Sequence, residues 1–477
     1  MKVTNEILAK DLVEQNYIDY TIAVGSERAL SDCYDGLKPI QRKTVWAAHT
    51  MGLKHDKAPI KSAKLTGVIM GSFSPHASSY GSVVLLAQDA CPVPLLDGQG
   101  NWGFLANGEA AAERYTEVRL SEFSEKYLLD EDYLAVTEML PNYDDTTVEP
   151  LRLPALVPLL LLLGSRGIAV GTRSNIPNFT WKSLKPVILK ALDKEITWKD
   201  CKKLEFDDIL NAKFVGTQEE FEEYLKTGTG TLKFGVETEI KDKAIHIHSL
   251  STSIDSALDK LNKQDWVYSI DDMSNAKEID IVVKPKSIYK NELEDIQKKI
   301  EKLLTNSINY SFATNMIEQT KEIDVELGDK KLYKLGAKYI ETNIPDYLNR
   351  WIKYRIDLES KMLSNKIEKL KLEKDRLSFV VWSIDKLDVI FKVLQSKTEN
   401  LEESIQKELK VSENQAKIIC SFTVKQLSNL NKDTLNQKIS ELENNIKTCE
   451  TTLANVKETV AEKIKQIDIK SNSYGKR

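Results

Sequence analysis

The chain has 477 residues, 29% of them charged, with 67 Lys and Arg against 72 Asp and Glu and a formal net charge of -5. That length exceeds what one hydrophobic core usually serves, so two to four domains are expected, and any nucleic-acid surface must be a local basic cluster on an otherwise acidic molecule. Five scattered cysteines without a CxxC pair argue against a disulfide framework or a zinc module and fit a reducing cytosol.

Gly and Pro punctuation is dense over the first 180 residues, as in Asp35-Gly36, Asp97-Gly98-Gln99-Gly100 and Asn107-Gly108. Between these turns, apolar spacing predicts amphipathic helices over Glu6 to Ala29, Pro39 to Met51, Ala58 to Met70 and Ser79 to Ala90, the outline of a helix-turn-helix or winged-helix unit. No signal sequence is read at the N-terminus, and the apolar run Leu156 to Leu163 is too short to span a bilayer and contains Pro158, so it is expected in the core and no membrane partner is expected.

From about Ser183 to Lys331 the pattern is mixed α/β, with Lys243 to Ser249 and Glu278 to Val283 read as strands. His246 and His248 fall on one strand face, but without a third ligand they are read as surface residues. From Ile340 onward helices dominate. Ile356, Leu363, Leu370 and Leu377 recur every seven residues, and Leu435, Ile439, Leu442, Ile446, Cys449, Leu453, Val456 and Val460 alternate four and three apart, which narrows the apolar stripe to a coiled-coil seam. Shorter helical patterns between them, with a capping box at Ser412 and Gln415, predict a small helical domain at the tip of two antiparallel helices. A plain coiled-coil dimeriser is the bland alternative for this region.

The segment Glu113-Arg114-Tyr115-Thr116-Glu117-Val118-Arg119-Leu120 resembles the active-site segment of the breakage-reunion (A-type) subunits of type IIA DNA topoisomerases. Arg28 to Asp32, Asp35 to Lys43, Lys61 to Lys64, Leu96 to Gly103 and Gly167 to Gly171 are similar to that family's other motifs, in its order, and Leu377 to Leu394 and Val411 to Leu430 are similar to its exit-gate region. The layout is closest to the bacteriophage medium subunit. The resemblance implies an α+β multidomain fold: an N-terminal arm over 1-27, a winged-helix DNA-gate domain over 28-140, an α/β tower over 141-335, a first coiled-coil helix over 336-380, a helical C-gate domain over 381-431 and a second coiled-coil helix with a tail over 432-477.

It also implies a function. Tyr115 would attack a DNA phosphate, giving an ATP-dependent double-strand break and passage of a second duplex, with relaxation and decatenation as outcomes. A phenol is a weak nucleophile and the transition state needs positive charge on the phosphoryl oxygens, which Arg114 and, by motif, Arg28 and His76 would supply. Lys38, Arg42, Lys43, Lys61, Ser62 and Lys64 would contact the duplex backbone, and Ile168 would wedge between bases. Asp130-Glu131-Asp132 lacks a metal-binding context and reads as a solvated acidic turn. Mg2+ and ATP are therefore expected on an ATPase/TOPRIM partner subunit, with this chain a cytoplasmic homodimer closed through its C-gate on double-stranded DNA. No room is read at the C-terminus for a DNA-wrapping domain.

Two departures stand out: Ser74 replaces the first histidine of the family's His-Pro-His stretch, and Gln41 replaces the usual histidine of the N-terminal signature. The first leaves open a non-catalytic DNA-binding scaffold derived from the family.

Overall fold

A computed structural model describes the chain except for residues 1–8, 76–78, 89–90, 104–108, 170, 208–209, 276–277, 290, 328–329, 396–400, 421–431 and 470–477. Two compact units result, one of Met1–Arg355 with Ala461–Arg477, the other of Ile356–Val460.

In the first unit, helix Pro39–Thr50 begins with a proline where the N–H has no intrahelical partner, and the Lys38 N–H donates to the Gln41 side chain. Its buried face, including Val45, Trp46, Ala47 and Ala48, packs with helices Ser62–Val68 and Tyr80–Ala87. Strands β1 (Ile60–Lys61), β2 (Leu96–Gln99) and β3 (Glu117–Leu120) form an antiparallel sheet in the order β1-β3-β2 that adds Leu96, Val118 and Leu120 to the same core. Helices plus a small sheet make the winged-helix outline that the spacing predicts. The apolar run contributes helix Leu159–Leu163, of which Leu159 to Leu162 are buried. Asp130 caps helix Glu131–Leu134 through the Asp132 N–H, as an acidic turn should. Helix Ala9–Val24 forms within the predicted Glu6–Ala29, but Leu12, Val13, Tyr17, Ile18 and Tyr20 are exposed on it and not buried against the core of the described residues.

Residues 139–311 build a hairpin and two sheets. Strands β4 (Met139–Pro141) and β5 (Val148–Pro150) pair with each other. Strands β6 (Ser165–Ala169), β7 (Thr172–Ile176), β8 (Lys213–Phe214) and β9 (Thr229–Gly235) join a later strand, β14 (Asn306–Ser311), in the order β6-β7-β14-β9-β8. Strands β10 (Thr238–Lys241), β11 (Ala244–Ile247), β12 (Val267–Asp272) and β13 (Ile281–Pro285) run in the order β10-β11-β13-β12. Helices Ile254–Asn262 and Leu293–Leu304 cover one face of the latter, burying Ile245, Ile247, Ile281 and Val283.

A long hairpin of β15 (Ala313–Leu327) and β16 (Lys330–Glu341) follows, pairing Ile317 with Ala337 and Ala313 with Glu341. Residues 336–341 are therefore strand, and the expected helical start at 336 is corrected to Ile344 in helix Ile344–Ile384. The cause is local. Asn343 accepts the Asp346 N–H at 2.9 Å, and Pro345 occupies the first turn.

In the second unit the helix Ile344–Ile384 continues and meets helix Lys432–Ala454. Ion pairs Lys371–Glu450 (2.8 Å), Lys374–Glu443 (3.7 Å) and Asp385–Lys432 (2.8 Å) fall on descending partner numbers, so the helices are antiparallel. The predicted seam residues from Leu435 to Val460 are all shielded at least in part, and Ile446 and Val460 are buried. Helices Leu387–Gln395, Leu401–Leu409 and Glu413–Cys420 close a small core around Ile390, Ile405, Ala416 and Ile419. The Ser412 and Gln415 box is formed in both directions, at 2.9 and 3.4 Å.

Candidate active site and DNA face

Tyr115 projects from the loop between β2 and β3, with 62% of its surface exposed. Its N–H donates to the Ala112 carbonyl (2.8 Å), tightening the turn, and the Arg114 guanidinium lies 4.6 Å from the ring centroid. The next residue is the anchor. Thr116 is fully buried, its carbonyl accepts the Ser62 N–H (3.0 Å) and its hydroxyl donates to Ser62 Oγ (2.8 Å). Tyr80, opening helix Tyr80–Ala87, donates to the Ala111 carbonyl and lies 3.0 Å from Thr116 Oγ1. Upstream, the Glu113 carbonyl accepts the Ala63 N–H (3.2 Å) and its carboxylate accepts the Thr66 hydroxyl (2.7 Å). The Tyr115 side chain thus stands exposed on a loop held at both ends by two helices, so its position is set by the fold.

Arg28 is exposed on the turn Gly25–Ala29. That turn is locked against β6: a Cβ on Gly167 would lie 2.1 Å from the Ala29 carbonyl oxygen, and Ser31 and Ser165 share a hydrogen bond of 2.8 Å. One residue on, Ile168 is 78% exposed near the end of the β6–β7 hairpin, whose turn uses Gly171 at φ 74°. Arg166 is exposed two residues before Ile168, and Arg173 is its cross-strand partner, so an apolar tip is flanked on one face by two cations. Sequence reading missed both arginines, since Arg173 joins Ile168 only through the register of the hairpin.

The basic cluster divides. Lys64 is exposed, and Lys61 is exposed while pairing with Glu117 at 2.8 Å. Lys38 donates to the Arg166 carbonyl (2.6 Å), and burial holds its ammonium below the ordinary lysine range. Lys43 donates to the Phe73 carbonyl (2.6 Å) and pairs with Glu149 (3.2 Å), which occupies its charge internally. Two expectations need correction. Arg42 is buried, with Nε 2.5 Å and Nη2 3.0 Å from the Asp35 carboxylate, so it fixes the turn before its own helix and presents no fork to a phosphate. Ser62 is fully buried and spends its hydroxyl on Thr116, so it positions the tyrosine loop and is not a surface contact. His76 lies outside the described residues; Ser74, at the departure from the family pattern, is buried and its N–H donates to the Ile69 carbonyl (2.8 Å).

Asp35 is completely buried and also accepts the Leu37 and Leu153 N–H groups at 2.9 Å each. Beside it, burial raises the Asp32 carboxyl above its ordinary range although Arg152 stands 3.6 Å away. These acids are engaged within the turn. Near Tyr115, Glu113 and Glu117 are taken by Thr66 and Lys61, and no group of three metal-capable donors gathers there among the described residues. No described helix is long and apolar enough to cross a membrane.

Comparison with known proteins agrees with this layout. A family model for the A subunits of DNA gyrase and topoisomerase IV matches residues 28–468. The DNA gyrase A subunit of Aminobacterium colombiense is 29% identical over 455 residues, covering 93% of this chain and 55% of that protein. The gyrase A subunit of Brachyspira hyodysenteriae is 26% identical over 100% of this chain and 57% of its own length. The DNA topoisomerase 4 A subunit of Pseudomonas aeruginosa is 36% identical over 50% of this chain and 33% of its own. The chain thus spans about half the length of the gyrase subunits that it matches along most of its own. With a match that runs over residues 28–468, from the turn bearing Arg28 onward, the chain belongs to the family of DNA gyrase and topoisomerase IV A subunits, the type IIA breakage-reunion subunits.

Proposed function

We propose that the chain cleaves and rejoins double-stranded DNA through Tyr115, as the breakage-reunion subunit of an ATP-dependent type IIA topoisomerase that relaxes and decatenates DNA. The observation that carries this reading is an exposed tyrosine, stacked on by Arg114, riding on a loop whose neighbours Glu113 and Thr116 are clamped. The phenolic oxygen, losing its proton, attacks the scissile phosphorus; the phosphorus–O3′ bond breaks, and the 3′ oxygen leaves as a hydroxyl once protonated. Product is a 5′-phosphotyrosyl bond close in energy to the one broken, so religation needs no other energy source. Arg114 and Arg28 neutralise phosphoryl oxygens. Lys64, Lys61 and Lys38 contact flanking phosphates, and Ile168, between Arg166 and Arg173, wedges a base step and bends the duplex.

Two copies cut the two strands, joined through the helical domain at 381–431 that acts as an exit gate. The domain at 28–140 forms the DNA gate and that at 141–335 flanks the bent duplex. No step is assigned to a divalent ion on this chain, because the carboxylates beside Tyr115 are already engaged. Mg2+, which would stabilise the leaving oxygen, is bound by the TOPRIM domain of a partner that also hydrolyses ATP. The complex works on DNA in the cytoplasm.

The test combines the chain with an ATPase/TOPRIM partner, supercoiled DNA and Mg2+ or Ca2+, then quenches with detergent. Linear DNA attached to protein is expected, and its loss in Tyr115→Phe. Ile168→Ala should retain folding and duplex binding while bending and cleavage fall. DNA binding without any attachment, alongside a competent partner, would instead support the scaffold that Ser74 leaves open.

A further inference from the structure

We propose that His246, His248 and Asp280 form a site for a borderline divalent metal ion of the Zn2+ class, on the open face of the β10-β11-β13-β12 sheet. Side chains alternate along a strand, so with Ile245 and Ile247 fully buried against the helices, the two histidines point to the opposite face. Their spacing alone is commonplace. The fold adds the third donor from 32 positions away in sequence: Asp280 stands just before β13, beside the fully buried Ile281, so its carboxylate emerges on the histidine side.

Its backbone is fixed there, the N–H donating to the Ser274 hydroxyl (3.1 Å) and the carbonyl accepting the Met273 N–H (2.8 Å). One donor atom from each of the three residues falls within 4.8 Å of the others. Asp280 Oδ1 is 2.8 Å from His246 Nδ1 and 4.0 Å from His248 Nδ1. Tetrahedral ligands at zinc distances are about 3.3 Å apart, so these two spacings bracket the required value, with the His246–His248 pair within 4.8 Å. Opposite His246 in the register stands Glu239, with Oε2 3.5 Å from His248 Nε2. A carboxylate on the outer nitrogen orients the ring and leaves Nδ1 for the ion. Three protein donors leave one tetrahedral corner for water.

Two imidazoles and one carboxylate select Zn2+, Co2+ or Ni2+ over Mg2+ and Ca2+, which prefer oxygen. The site is therefore separate in chemistry and place from the ion of strand cleavage, and it does not rest on the function proposed above. A bound ion would tie the start of β13 to β11, reinforcing the backbone pairing of the two strands.

The experiment uses the full chain, freed of metal by chelation and titrated with Zn2+ or Co2+. One equivalent of Zn2+ per chain is expected to survive gel filtration, and Co2+ should give visible bands of a four- or five-coordinate ion without sulfur charge transfer. His248→Ala and Asp280→Asn, both at partly exposed positions, should each weaken binding by about tenfold or more. His55→Ala, at a histidine–carboxylate pair elsewhere (His55–Glu125, 3.0 Å), should leave it unchanged. No stoichiometric binding would overturn the proposal and leave His246–Asp280 as a simple ion pair. So would binding that persists in both variants or a Co2+ spectrum with thiolate bands. The spectrum of the unaltered chain decides even if a variant fails to fold.

Discussion

Replacing Arg42 by alanine separates two roles that its position in a basic motif confounds. The guanidinium is buried, makes two contacts to the fully buried Asp35 carboxylate and a third to the Leu37 carbonyl at 3.3 Å. Its removal leaves the buried Asp35 carboxylate with the Leu37 and Leu153 N–H groups and with Arg152 as a more distant positive charge, but without an ion-pair partner in contact among the described residues. Breaking a buried pair from one side costs about 3–5 kcal/mol, because the remaining charge is still desolvated. Asp35→Asn with Arg42→Met should recover much of that loss, since an uncharged pair of similar volume carries no such penalty. The assays are urea unfolding and duplex binding at several salt concentrations. In the folded fraction of Arg42→Ala, the slope of log K against log salt should equal that of the unaltered chain, whereas Lys64→Ala should reduce it by about 0.9. Unchanged stability with a slope reduced like that of Lys64→Ala would refute the buried-pair reasoning and return Arg42 to the DNA face.

Three further outcomes follow from the geometry. Gly167→Ala would force its methyl into the Ala29 backbone, which cannot yield as a side chain could; a cost of about 1–3 kcal/mol in unfolding is expected, with cleavage reduced because Arg28 and Ile168 flank this contact. Ser62→Ala should cost only about 1 kcal/mol in stability, yet lower cleavage far more than duplex affinity as the tyrosine loop loses its clamp; equal losses in both assays would contradict a positioning role. Burial pushes the Cys91 and Cys201 thiols up to about 12 and raises Cys33 as well. At pH 8 only Cys420 and Cys449, both partly accessible, should be alkylated in the folded chain. The same shifts set a sign: between the ordinary thiol value near 9 and about 12 the unfolded chain ionises first, so these groups make stability fall as pH rises. Rapid labelling of all five thiols in undenatured protein would contradict it.

How far the sequence could be read depended on whether an interaction was local. The seam from Leu435 to Val460, the Ser412 box and the buried run at Leu159 appear as predicted, because helical period and capping act over a few residues. Tyr115 and Arg114 were legible as a motif, and the structure exposes both. Positive charge, by contrast, says nothing about its partner. Arg42 and Lys43 were assigned to one basic face, but Asp35 and Glu149 claim them, and Glu149 is over a hundred positions along the chain. Ser62 looked like a surface polar residue until Thr116 folded onto it. The start of the long helix was set at 336, inside β16, because the pairing of that strand with β15 is not visible in the sequence, whereas the Asn343 cap and Pro345 mark the observed start at Ile344. Asp280 could not be joined to the histidines before the register of β11 and β13 was known.

The most direct measurement is the identity of the residue that carries DNA. Cleavage complexes trapped with detergent, digested with nuclease and trypsin, should yield the peptide from Tyr115 to Arg119 with a nucleotide 5′-phosphate on its tyrosine, as read by mass spectrometry. The adduct on any other peptide, or its formation in Tyr115→Phe, would contradict the central claim.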